Sequence, residues 1–199
     1  MKVNNLDIIL PLLEFKENWI YEVLIMQRKK DNPDVVNNQN VRIIKSYTIS
    51  CKQEILDRYD EMVNLAEGFN ARVYIKLQPY DISKVGFKLM ETLVQKMQNK
   101  DYSYQSLLTK ALGNMSAEKK IWVVDVDFDN TTSLELNRIS TIINDCYNDG
   151  SKIIAKIPTP NGLHLICKPF NTLLFMKNTD LCNKVDIKKN NPTILYSNI

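Results

Sequence analysis

The sequence predicts an α+β protein built on an antiparallel or mixed sheet, and three observations carry that reading. Periodic segments run strand, strand, helix, strand, helix, helix, and then strand, helix, strand, strand, helix, strand, strand. Two of these strands are joined only by Thr159-Pro160-Asn161-Gly162, turn chemistry that suits a hairpin and leaves no room for a helical crossover. Five glycines in 199 residues include no phosphate-cradling loop of the kind that opens a nucleotide-binding parallel sheet.

Each element has a local cause. Asn18 to Arg28 is a β-rich run followed by a basic polar loop, Lys29 to Pro33, and Val41 to Ile49 is β-branched and alternating. Ser50 is placed to cap a helix over 51–69, with Ile55, Met62, Leu65 and Ala66 at helical spacing. From Ala71 to Gln78, Val73, Ile75 and Leu77 alternate with Arg72, Tyr74 and Lys76, which predicts a half-exposed strand. Asp81 can cap a helix over 82–98 with Val85, Leu89, Leu93 and Met97 on one stripe, and a shorter helix over 104–112 stops at Gly113. Lys119 to Asp127 is the strongest strand, and 131–147 reads as an amphipathic helix. Strands over 152–157 and 163–169, a short helix over 172–177, and extended pieces over 184–187 and 193–196 complete the chain. A division near residues 113 to 118 gives an N-terminal α/β lobe, 1–113, and a C-terminal lobe, 114–199, that together form one module.

Composition narrows the functional classes. A hydrophobic share of 44% with 25% charged residues fits a folded globular chain and argues against disorder or a coiled coil. No apolar run is long enough for a bilayer, and Asn4, Asn5 and Asp7 interrupt the first segment, so no membrane partner is expected and the protein should stay in the cytoplasm. Cys51, Cys146, Cys167 and Cys182 show no C-x-x-C pair, so neither a disulfide framework nor a zinc site is expected. The net charge of +3, from 26 basic and 23 acidic side chains, allows nucleic acid without demanding it, so the distribution decides.

Ile121 to Asp129 concentrates the acids. Alternation places Trp122, Val124, Val126 and Phe128 on a wholly apolar face, while Asp125, Asp127 and Asp129 follow Ile121 and Val123 on the other. Two residues along a strand span roughly 7 Å, so two such carboxylates can serve a pair of Mg²⁺ or Mn²⁺ ions roughly 4 Å apart. A strand that merely ends in a solvated acidic loop has the same letters. His164, the one histidine, sits just past the Pro-Asn-Gly turn, with Ile166 and Lys168 on its face; a satisfied core histidine and an anion contact are both open. Asp186 follows Val185, with Lys184 on its side of the strand, and would supply a third carboxylate. Arg28, Lys29 and Lys30 after one strand, with Arg72, Tyr74 and Lys76 along another, mix phosphate-pairing and stacking groups, although solvated surface explains any one of them equally well.

V-V-D-V-D at 123–127, G-L-H at 162–164 and V-D at 185–186, in this order, resemble the archaeo-eukaryotic primase, or primase-polymerase, superfamily, and particularly its small phage and plasmid members. In those the hairpin reads approximately P-T-x-N-G-x-H-L-I and the last motif continues D-I-x-K-N-N-P-T. The likeness covers residues 119–197 well and the N-terminal part only by general pattern. It implies a two-lobed core whose RRM-like sheet carries the catalytic motifs. It also implies that Asp125, Asp127 and Asp186 hold two divalent cations, Mg²⁺ or Mn²⁺, while His164 contacts an NTP or dNTP triphosphate. The activity implied is nucleotidyl transfer to a 3′-hydroxyl on a single-stranded DNA template, with pyrophosphate released, in DNA replication, where a separate replicative helicase is a possible partner. Many members have Ser where this chain has Gly162, so phosphate contact would lean on the Gly162 amide, Asn161 or Lys168. Asp129 has no counterpart, and the family's zinc knuckle is not seen. Template contacts are expected from Arg28, Lys29, Arg72 and Lys76. Two other readings compete: a catalytically idle fold that binds nucleic acid or a protein, and a TOPRIM-like phosphodiesterase, which needs a Glu on an earlier parallel strand where Glu54 and Glu61 are helical.

Overall fold

The computed structural model describes residues 2–34, 40–104, 107–146, 151–177 and 179–199. Its centre is a pair of antiparallel sheets with helices packed around them, so the α+β expectation holds.

The first sheet grows from the long strand β2 (Trp19–Arg28), whose partners are β3 (Val41–Ile49) on one side and β4 (Arg72–Ile75) on the other. Beyond β4 come β10 (Thr193–Ser197) and the short β1 (Val3–Asn4), while β5 (Tyr80–Asp81) pairs with the start of β2. The second sheet runs β7 (Ile153–Thr159), β8 (Gly162–Cys167), β6 (Trp122–Asp127), β9 (Val185–Lys188), with every pairing antiparallel. Between β7 and β8 lies only Pro160-Asn161, the hairpin read from the turn residues.

Among the described residues seven α-helices fill the connections: α1 (Leu6–Ile9), α2 (Lys52–Gly68), α3 (Ile82–Gln98), α4 (Leu107–Gly113), α5 (Ser133–Asp145), α6 (Thr172–Phe175) and α7 (Thr179–Cys182). Asp81 caps α3 as expected, accepting from the amides of Ser83 and Lys84 at 2.9 and 3.0 Å. Helix α5 opens on a capping box in which Thr132 and Glu135 each satisfy the other's backbone amide. Cap and helix differ at α2: the cap position is Cys51, not Ser50, and the Ser50 amide instead donates to Glu54 at 2.7 Å.

Both faces of β6 are covered. Val124 and Val126 pack with Leu165, Ile139 and Ile143 under α5, whereas Ile121 and Val123 join a core that contains Val23, Ile25, Val73 and Ile75 of the first sheet and Ile55 and Met62 of α2. Burying side chains of this size contributes about 2 kcal/mol each, enough to fix β6 in the middle of the molecule. Phe128 lies past the strand and is exposed, so the wholly apolar face ends at Val126.

The strand expected to be half-exposed is buried throughout: Val73 and Ile75 enter the core, while Tyr74 packs with Val3, Leu24 and Ile194, and Arg72 and Lys76 are paired with Asp31 and Glu22. The basic loop after β2 begins with a 3-10 turn, Lys29–Asp31. In α3, Met97 is exposed rather than part of the buried stripe. The helix expected over 104–112 is α4; Tyr104 precedes it without helical structure, and residues 105 and 106 fall outside the described residues, as does Tyr147 at the end of the helix that became α5. β10, which follows the division near 113, returns to the first sheet. Asn5 ties this return to the hairpin, its Nδ2 donating to the carbonyls of Ile194 and Pro158 at 2.9 Å each. Among the described residues no disulfide joins the four cysteines. Among the described residues no helix is long and apolar enough to cross a membrane.

Gly162 faces Asp127 across the β8 and β6 pairing, and a Cβ built there falls 2.0 Å from the Val126 carbonyl oxygen. The close approach requires glycine at this position. Gly162→Ser should therefore lower stability by about 2–3 kcal/mol through overpacking. Urea denaturation of the variant beside the parent chain checks this, and an unchanged midpoint would contradict it.

Candidate functional site

Asp125 is the midpoint of the site because β6 is flanked on both sides. Directly opposite it lie His164 on β8 and Asp186 on β9, so three polar residues line up across three neighbouring strands. Residues paired in this way have Cβ atoms about 5 Å apart, and like charges so placed repel. The repulsion between Asp125 and Asp186 is relieved by Lys188, which alternation puts on their face. Its Nζ is 2.6 Å from Asp125 Oδ2 and 3.5 Å from Asp186 Oδ2. The next residue, Lys189, turns the other way and lies over the Trp122 ring.

The second Asp125 oxygen faces the histidine, with Oδ1 3.4 Å from His164 Nε2. His164 Nδ1 is held by Thr193 Oγ1 at 2.8 Å, and both residues are buried. Since Thr193 belongs to β10, this contact fixes the ring against the other sheet and leaves Nε2 as the nitrogen directed at the carboxylate. Burial works against ionisation of Asp125, but the hydrogen bond and charge of His164, and then those of Lys188, outweigh it and hold the carboxyl well below its usual range. Burial also opposes the Lys188 ammonium, and its contacts with Asp125 and Asp186 reverse that effect and raise its pKa.

The site opens on a cleft between the sheets with two adjoining cavities that share Arg28, Asp125, His164 and Ile194. The larger, about 240 Å³, has an apolar floor of Met26, Tyr74 and Ile194 beneath Lys188. The smaller, about 190 Å³, is polar, with Lys30 and Arg72 on one wall facing Asp127 and Asn161 on the other. The structure therefore brings Arg28 and Arg72 to the carboxylates. Arg72 also pairs with Asp31 at 2.9 Å with both side chains buried, yet its Nε has no hydrogen-bond partner.

The other sequence-predicted residues are placed as follows. Asp127 and Asn161 are exposed at the cleft rim, and Gly162 contributes close packing. Asp186 is on the site's face with a largely exposed side chain. Lys168 is exposed beyond the end of β8 and lines neither cavity, Lys29 is exposed outside them, and Asp129 is exposed past the strand. Lys76 is buried away from the cleft, 2.8 Å from Glu22. Lys184 pairs with Glu135 at 2.7 Å.

Lys188 and Thr193 are the residues that sequence reasoning left out of the site. Lys188 was accessible by the same alternation that grouped the aspartates. Thr193 was not, because its role depends on β10 crossing to the other sheet.

Chemically, Asp125 and Asp186 share one cationic group, the Lys188 ammonium. Among the described residues no group of three His, Cys, Asp or Glu side chains is arranged to hold a metal ion. No protein-family model matches the chain, and no match was found among curated proteins or solved structures.

Because Asp125 has a depressed pKa in the folded state, its contribution to stability is fully present above its unfolded value of about 4 and fades as the pH falls toward its lower folded value. The stability difference between the parent chain and Asp125→Asn should thus be larger at about pH 7 than at about pH 2.5. Paired calorimetric melts check this, and an equal difference at both pH values would contradict it.

Proposed function

We propose that this chain is a metal-dependent nucleotidyltransferase of the primase-polymerase kind, extending a 3′-hydroxyl on a single-stranded DNA template with release of pyrophosphate, in DNA replication. One observation carries the reading: Asp125 lies in register between His164 and Asp186 and faces a cleft whose opposite wall bears Arg28, Lys30 and Arg72. Carboxylates for cations beside guanidinium and ammonium groups for phosphates are the complementary charges of phosphoryl transfer.

In this reading Asp125, Asp127 and Asp186 hold two divalent cations, Mg²⁺ or Mn²⁺. When bound, such ions lower the pKa of the attacking hydroxyl and neutralise charge developing on the phosphates. The chain's own residues bind and orient. The polar cavity takes the triphosphate of an NTP or dNTP between Arg28, Arg72 and Asn161, with His164 Nε2 directed into it because Nδ1 is anchored. The apolar cavity takes the nucleoside over Tyr74 and Ile194. Template phosphates then fall to exposed cations such as Lys29, and Lys76 is too deeply paired to take part. A replicative helicase is a partner consistent with this activity.

A second reading, an idle fold that binds nucleic acid, is favoured by Lys188 standing between the two carboxylates. The phosphodiesterase reading lacks support, since both neighbours of β6 are antiparallel and Glu54 and Glu61 lie on α2.

Incubation with single-stranded template, a primer, NTPs or dNTPs, and Mg²⁺ or Mn²⁺ should give primer synthesis or extension. Asp125→Ala combined with Asp127→Ala should reduce it at least ~100-fold, the scale for loss of electrostatic stabilisation at a reacting phosphate. Synthesis that is absent, or indifferent to this double substitution, would overturn the reading; template binding without synthesis would favour the idle fold.

A further inference from the structure

We infer that Lys188 is a tethered cation that occupies the metal position in the metal-free protein and competes with divalent ions for Asp125 and Asp186. The inference rests on the proposed function and adds a control on metal entry that the motif residues alone do not contain.

Strand register creates the need for it. Asp125 and Asp186 are directly opposed on adjacent antiparallel strands, an arrangement that destabilises the sheet unless a positive charge lies between them. Lys188 supplies that charge from the same strand as Asp186, and the side chain is only 28% exposed, so solvent screens the contact incompletely. The remaining Asp125 oxygen faces His164, which leaves the carboxylate engaged on both sides.

A divalent ion of this class sits about 2.1 Å from its carboxylate oxygens. An ammonium 2.6 Å from Asp125 Oδ2 lies in the space such an ion would fill, and the two positive charges also repel. Metal binding must therefore move Lys188 out. The larger cavity, which Lys188 lines beside Asn191 and Pro192, gives the released side chain somewhere to go. Lys188 thus has opposite effects in the two states: it supports the sheet without metal and weakens the affinity for metal.

The test uses the full chain with Mn²⁺ alone as the probe. Calorimetric titration compares the parent, Lys188→Met, Lys188→Gln and Lys188→Arg, with Asp125→Asn as the control for site-specific binding. Lys188→Met should melt lower than the parent without metal, bind Mn²⁺ at least about fivefold tighter, and gain more melting temperature on Mn²⁺ addition. Lys188→Gln, which is isosteric enough to keep the strand packed, should show the same tightening, and Lys188→Arg should stay near the parent. If the parent binds Mn²⁺ through Asp125 but loss of the Lys188 charge leaves affinity unchanged or weaker, the inference fails while the proposed function stands. If no variant binds Mn²⁺ in an Asp125-dependent way, the proposed function fails and takes the inference with it.

Discussion

Two carboxylates placed face to face across adjacent strands are the constraint around which this molecule is arranged. Asp125 and Asp186 are brought together by backbone pairing, which is indifferent to their charge, so something else must compensate for it. Lys188 and His164 do so from opposite sides of Asp125. The strand that carries Asp125 cannot shift to relieve the repulsion. Val124 and Val126 are packed under α5, and Ile121 and Val123 are packed against the core shared with the first sheet. A one-residue slip would drive an aspartate into an apolar layer. Hydrophobic packing thus holds two like charges close together, and Lys188 and His164 offset the repulsion.

The site also belongs to both sheets. The last strand leaves the second sheet and inserts between β1 and β4 of the first, carrying Thr193 to the back of His164 and Ile194 to the floor of the cleft. The side chain of Gln78 reinforces the junction by donating to the carbonyls of Ile121 and Lys189, the second at 2.7 Å. As a result the basic residues of the first sheet, Arg28 and Arg72, are held at a fixed distance from the carboxylates of the second. Arg72 is buried and Arg28 half-buried, and both line the polar cavity with Asp125 and Asp127.

Local chemistry made much of this legible. The hairpin was written in Pro160-Asn161, the cap of α3 in Asp81, and the shared face of Asp125 and Asp127 in simple alternation. The need for glycine at 162 was not legible, because it comes from the Val126 carbonyl, which only pairing of β8 with β6 brings near. The burial of Arg72, Tyr74 and Lys76 was hidden because it depends on partners distant in sequence: Asp31 for Arg72, Glu22 for Lys76, and Val3, Leu24 and Ile194 around Tyr74. The return of the last strand was hidden as well: nothing local in Thr193 to Ser197 indicates which sheet it joins. Small elements such as β1, β5 and α7 are too short for any periodic signal.

The central claim is that Asp125, beside the one histidine of the chain, marks a cation position. Paramagnetic broadening by Mn²⁺ tests it directly, because the His164 ring gives a single, unambiguous set of NMR signals. The account predicts that these signals disappear among the first as Mn²⁺ is added, and that Asp125→Asn protects them. His164 signals that stay sharp while others in the protein broaden would contradict it.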